Sequence, residues 1–184
     1  GETFNAFEDK ELRYRHRQLD LIANPDVKEI FRKRARIISS LRKFLDDHSF
    51  LEVETPVLQS IYGGASARPF TTHHNTLDQS FYLRIADELY LKRLIIGGFN
   101  KVYELAKNFR NEGMDSNHNP EYTSLEYYQA YSDVYEMMDF TESLIKYVSK
   151  QVNQIKFEFN GQPINLSKSF NKQSMFDLLK QHAD

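Results

Sequence analysis

Lys101-Val-Tyr-Glu-Leu-Ala-Lys-Asn-Phe-Arg-Asn-Glu112 and Tyr122-Thr-Ser-Leu-Glu-Tyr-Tyr-Gln-Ala-Tyr131 both alternate like strands, and the polar loop Gly113–Glu121 separates them. This pattern predicts an antiparallel hairpin with a long tip. Side chains at i and i+2 on a strand share a face, so Arg110 and Glu112 point together, as do Tyr122, Glu126 and Tyr128. If these faces coincide, one wall of the sheet presents a cation, two carboxylates and two aromatic hydroxyls. The same spacing also produces cross-strand ion pairs on a solvated face.

Working outward, Asn24-Pro25 reads as a helix start, because proline suits a first helical position whose N–H is unpaired anyway. Apolar residues from Val27 to Leu45 then recur at helical spacing, predicting an amphipathic helix over 26–47. Its cationic side is either a solvated face or a nucleic-acid patch. Residues 50–57 read as a short strand in which Pro56 marks a sheet edge, a strand end or a subunit contact. Residues 60–66 form a loop where Gly63-Gly64 permits close approach of a ligand. Phe81–Ile85 reads as a strand, with Asp87 capping a helix that stops at Gly97-Gly98. Asp133 and Glu136 form a capping pair for a further helix. Asn160-Gly161 joins two short strands, and Ser174 opens a last helix. The first twenty or so residues, with Arg13, Arg15 and Arg17 around Tyr14 and His16, read as a charged lead-in and not a packed element. The predicted class is α+β with a mainly antiparallel sheet flanked by helices.

The 184 residues carry 24 Lys and Arg against 26 Asp and Glu, a net charge of −2, so no global field draws the chain to nucleic acid or anionic lipid. With no cysteine, disulfide frameworks, zinc ribbons and thiol chemistry are excluded. Adjacent His73 and His74 point to opposite faces of an extended segment and do not chelate together, so no metal site is expected. Neither Gly-Gly pair has the spacing of a Walker or dinucleotide loop. No apolar run is long enough to cross a membrane and the start lacks signal-peptide features, so a cytoplasmic setting is expected.

At this point a resemblance enters. Phe109-Arg-Asn-Glu112 with His118-Asn-Pro-Glu-Tyr-Thr123 resembles motif 2 of the class II aminoacyl-tRNA synthetases, and Phe44 to Pro56 resembles motif 1 with its proline. Gly63-Gly-Ala-Ser-Ala-Arg-Pro-Phe70, Thr72-His-His-Asn75 and Asp87-Glu-Leu-Tyr-Leu-Lys-Arg93 narrow the likeness to the class II lysyl-tRNA synthetases. The likeness runs from about Arg13 to about Tyr147, with motif 1 over about 28–57 and motif 2 over about 102–131. It implies the class II catalytic-domain fold for 25–184, preceded by the 1–24 lead-in, and a homodimer through motif 1 with Pro56 at the interface.

The resemblance further implies joining of L-lysine to ATP, with Mg²⁺ accompanying the nucleotide, and transfer of lysine to tRNA(Lys). Arg110 matches the arginine that bridges the lysine carboxylate and the α-phosphate, and is the one catalytic residue carried over. Glu112, His118 and Asn119 match ATP contacts, and Tyr122 stands where the family usually has a phenylalanine stacked on adenine. Glu88, Glu126 and Tyr128 match contacts to the substrate ammonium groups, and Gly64 offers backbone at the α-amine. No Gly-x-Gly-x-Gly-x-(Asp/Glu)-Arg stretch is present, so motif 3 is missing, along with the anticodon-binding barrel. The chain, ending at Asp184 without a cap or tail, is expected to be a truncated catalytic domain, weak or inactive alone, with the Mg²⁺ ligands in the missing part. A non-catalytic paralogue binding tRNA or protein is the alternative.

Overall fold

The computed structural model describes residues 8–182, which fall into two units, one of residues 8–44 and 138–182 and the other of 45–137.

In the first unit, α1 (Lys10–Arg15) and α2 (Arg17–Ala23) lie within the charged lead-in, whose first seven residues lie outside the described ones. What holds them is a charge that periodicity does not show. Asp20 is fully buried and accepts from Arg13 Nε at 2.7 Å, Arg17 Nη1 at 2.5 Å and Asn24 Nδ2 at 2.8 Å. One carboxylate thus ties both short helices to the start of α3 (Pro25–Asp47). Val27 and Phe44 of α3 are buried, whereas Ile30 and Phe31 at its N-terminal end are exposed, so only part of the expected stripe is covered. Helix α5 (Val134–Gln151) opens as expected: Asp133 Oδ1 accepts from the N–H groups of Tyr135 and Glu136, and Glu136 accepts from the Asp133 N–H. Phe44 packs on Phe140 and Tyr147 with ring centroids 5.3 Å apart in each pair. The α3 side chains Ile37 and Leu41 line an apolar cavity of about 300 Å³ together with Leu144, Val148 and Val152. Strands β7 (Lys156–Phe159) and β8 (Gln162–Asn165) pair about Asn160 and Gly161, whose φ angles of 49° and 75° supply the left-handed turn. Ser174 Oγ accepts from the Asp177 N–H to start α6 (Met175–His182).

The second unit holds two three-stranded sheets. In one, β1 (Leu51–Glu52) runs parallel to β5 (Lys101–Phe109), which pairs antiparallel with β6 (Glu121–Gln129) over nine residue pairs. In the other, β4 (Gln79–Leu83) lies between β2 (Leu58–Gln59) and β3 (Thr71–His74), antiparallel to both. The expected 50–57 strand is much shorter. Val53 still donates to the Tyr103 carbonyl at 2.9 Å, but the Thr55 N–H turns to the Glu104 carboxylate at 3.1 Å, and Pro56 has no N–H to give. A side chain therefore takes over where the ladder stops.

The sheets meet at Arg84. Its N–H donates to the Val57 carbonyl and its carbonyl accepts from the Phe109 N–H, both at 2.9 Å. Ile85, Leu91, Val102 and Tyr103 are fully buried beside this junction, each aliphatic side chain contributing about 1.5–3 kcal/mol. Helix α4 (Glu88–Ile96) follows, but Asp87 does not cap it with its side chain. Helices with small, mainly antiparallel sheets make the fold α+β. No helix among the described residues is long and apolar enough to cross a membrane.

Candidate active site

Strand alternation and register assemble one wall. On β6, Tyr122, Ser124, Glu126 and Tyr128 share a face, and their partners across the ladder are Asn108, Ala106, Glu104 and Val102 of β5. Both oxygens of Glu126 are held. Oε1 accepts from the Asp87 backbone N–H and Oε2 from the Tyr128 hydroxyl, each at 3.1 Å. The Tyr128 phenol is pushed far up, by burial first and then by the charge of Glu126. The Glu126 carboxylate is thus a fixed acceptor and not a solvated rotor.

Glu88, the first residue of α4, follows Asp87 in the chain and is salt-bridged to Lys92 Nζ at 2.5 Å. Gly64, with φ of +86°, lies against it: a Cβ there would sit 3.0 Å from Glu88 Cβ and 3.2 Å from Ala86 Cβ. Any larger residue would displace the acidic wall as well as straining the backbone.

The strand ends before Arg110 and Glu112, so the shared face expected of them is not formed by β5 itself. Arg110 continues the line, its N–H donating to the Pro120 carbonyl at 2.9 Å. The Arg110 guanidinium lies 5.4 Å from the Tyr122 ring centroid, and its Nε is buried with no hydrogen-bond acceptor among the described residues. Glu112 turns aside to accept from the Arg68 N–H at 3.1 Å. Its loop closes on itself: Asp115 accepts from the N–H groups of Asn117 and His118 at 2.7 and 2.8 Å and from His118 Nδ1 at 2.8–2.9 Å. The Asn117 N–H, and then the His118 ring, hold the Asp115 carboxyl below its usual range. Asn119 Nδ2 donates to the Glu121 carbonyl at 2.8 Å. Arg110, Glu112, His118, Asn119 and Tyr122 together line a cavity of about 540 Å³.

Two clusters result, one around the cavity and one acidic; Tyr122 lines the cavity beside Arg110, and its phenol also feels the charges of Glu126 and Asp87. Pro56 lies in neither. It is exposed, accepts from Gln59 Nε2 at 3.1 Å, and is flanked by exposed Val57 and Leu58. His73 and His74 point apart, His73 toward Asp78 at 3.3 Å and His74 accepting from the Leu77 N–H. Among the described residues no three acidic or histidine side chains converge as a metal-binding group.

Residues 9–184 match the family described as tRNA synthetases class II (D, K and N). The chain belongs to this family. It is similar to the lysine–tRNA ligase of Clostridium novyi, 55% identical over 99% of this chain and 36% of that protein. The corresponding values are 55%, 99% and 37% for the ligase of Thermoanaerobacter pseudethanolicus, and 54%, 99% and 37% for that of Syntrophomonas wolfei. The chain spans little more than a third of the length of these relatives.

In this class II synthetase, sequence reasoning missed the support beneath the wall. Arg84, 4% exposed, donates to the Lys107 carbonyl, the Thr55 carbonyl and hydroxyl, and Glu104 Oε1, the last at 2.7 Å. Glu104 also accepts from the Thr55 hydroxyl at 2.6 Å. Asn108, with its amide oriented to satisfy every neighbour, donates to Asp87 Oδ1 at 2.9 Å and accepts from the Ser124 hydroxyl at 2.6 Å. The available signal was a lone charge within an apolar run: Arg84 in Phe-Tyr-Leu-Arg-Ile-Ala, and Glu104 in Val-Tyr-Glu-Leu-Ala.

Proposed function

We propose that the chain is the motif 1 and motif 2 portion of a lysine–tRNA ligase, folded as the first half of a class II catalytic domain (residues 25–184, after the 1–24 lead-in). The full-length protein joins L-lysine to ATP and passes it to tRNA(Lys). The observation that carries this reading is the buried Arg110 Nε, without an acceptor among the described residues, on the wall of a cavity that Glu112, His118, Asn119 and Tyr122 also line. A buried cationic donor left unpaired costs free energy, and an anionic ligand removes that cost.

The chemistry suits such a site. A lysine carboxylate oxygen attacks the α-phosphorus of ATP; the new C–O–P bond forms as the bond to the β-phosphate oxygen breaks, and pyrophosphate leaves with its electron pair. The carboxylate is already ionised at neutral pH, so no general base is needed. The protein must align the two reactants and meet charge on the α-phosphate. Arg110 takes both tasks, since a planar guanidinium can bridge a carboxylate and a phosphate. Glu112, His118 and Asn119 contact the nucleotide, and Tyr122 offers its ring to the adenine. Glu126, Glu88 and Tyr128 receive the ammonium groups, with Gly64 presenting backbone at the α-amine. Pairing a desolvated ammonium with fixed acceptors also rejects uncharged amino acids.

The Mg²⁺ that accompanies ATP is assigned to ligands outside this chain, as the likeness to the lysyl-tRNA synthetases implies. The exposed apolar side chains around Pro56 support a homodimer contact there, and a cytoplasmic setting agrees with the reaction. The test is lysine-dependent ATP–pyrophosphate exchange by the full-length protein. Arg110→Ala is expected to lower the rate by about 10²–10³. Exchange within a few-fold of wild type, or exchange driven by aspartate in place of lysine, would overturn the assignment.

A further inference from the structure

The acidic wall contains one carboxylate that no assigned role uses. Asp87 has no solvent exposure, and its Oδ2 has no hydrogen-bond partner among the described residues. Its backbone N–H holds Glu126 Oε1, while its Oδ1 lies 3.4 Å from Arg84 Nε and 2.9 Å from the Asn108 amide nitrogen. The surrounding charges do not balance. Among the described residues Arg84, just past the end of β4, is the one buried cation, and it is already paired with Glu104 of β5 at 2.7 Å. Glu126 and Tyr128 of β6 face Asp87, Tyr122 feels its charge, and Glu88 follows it on α4 with its own partner in Lys92. An ionised Asp87 therefore adds a negative charge beside Glu126 that Arg84, shared with Glu104, offsets only in part.

We infer that Asp87 is a positioning residue of the amino-acid pocket: it carries a proton when the pocket is empty and gives it up when an ammonium group docks on the neighbouring Glu126. The inference rests on the lysine reading of this site. Burial pushes the Asp87 carboxyl up to about 7; Arg84 opposes the rise, and the charges of Glu104 and Glu126 add to it. The empty site is thus poised at neutral pH. A docked ammonium adds the missing positive charge and favours the carboxylate, so the proton leaves to solvent. Lysine then binds a site whose negative charge it has itself called up.

The sign follows from linkage. A ligand that lowers the carboxyl's pKa binds more tightly as pH rises through the free-site value near 7. Lysine affinity of the full-length protein is expected to rise about tenfold from pH 6 to pH 8. At pH 7, calorimetry in buffers of different ionisation enthalpy is expected to show about half a proton released per lysine bound. Asp87→Asn, an uncharged isostere, is expected to match wild type at pH 6, to bind about tenfold more weakly at pH 8, and to release no proton. Wild-type measurements decide the matter even if the variant is poorly folded. Lysine binding without proton release, or a release that survives in Asp87→Asn, would overturn the inference alone. Failure of lysine to bind wild type at all would overturn the lysine reading, and the inference with it.

Discussion

Replacing Glu104 by alanine strands the Arg84 guanidinium. Both side chains are almost wholly buried, at 5% and 4% exposure, and their 2.7 Å contact is the strongest compensation that either charge has. Breaking a buried pair from one side costs about 3–5 kcal/mol. The Thr55 N–H and hydroxyl lose their acceptor in the same step, each worth about 1 kcal/mol more. One effect works the other way. Glu104 opposes ionisation of Asp87, 3.4 Å from the same guanidinium, so its removal lets Asp87 take over part of the pairing. The net loss is therefore set at about 3 kcal/mol, equivalent to roughly 150-fold in an opening equilibrium. Hydrogen exchange of the full-length protein reads this locally, as lost amide protection over 101–109 and 121–129. Arg84→Met combined with Glu104→Leu removes both charges and is expected to lose less than the sum of the single changes, with a coupling of about 1–3 kcal/mol. Protection within threefold of wild type in Glu104→Ala, or strict additivity in the pair, would refute the reasoning.

Gly64→Ala is expected to cost about 1–2 kcal/mol of backbone strain and to press on Glu88, raising the KM for lysine about tenfold with a smaller change in kcat; an unchanged KM would count against the placing of Gly64. At Asp20 burial raises the carboxyl's pKa, but hydrogen bonds from Asn24 and Arg13 and the charges around it outweigh that and hold the group below 3.8. The stability it contributes is present above the unfolded value and disappears as pH falls through the lowered folded one. Amide protection of Lys10–Ala23 is thus expected to persist at moderate acidity and to vanish below pH 3.8, and Asp20→Asn should abolish that step.

What the sequence disclosed was whatever is written in local period or local chemistry. The β5–β6 hairpin follows from alternation, the α5 start from Asp133 and Glu136, and the β7–β8 turn from Asn160-Gly161. What it concealed depends on charges meeting across distance. Asp20 makes helices of residues that otherwise look like a solvated run, because a buried carboxylate draws two arginines from separate turns. Thr55 leaves the ladder because Glu104 offers its N–H a better-placed acceptor. Asp87 fails as a helix cap because Arg84 and Asn108 hold its carboxylate on the other side. The residues expected to contact nucleotide were brought to one cavity and those expected to contact lysine to one acidic wall, but the layer fixing that wall was invisible to motif matching.

The junction at Arg84 also bears on how this unit forms in time. Its side chain bonds to groups 29, 20 and 23 residues away along the chain, at Thr55, Glu104 and Lys107. No single hairpin can satisfy the guanidinium, so two loops must close before the ion pair is sheltered. Contacts of that separation are slow to gather, and form together or not at all. The acidic wall should therefore emerge as a late and cooperative event in folding, after the locally coded β5–β6 hairpin is already in place.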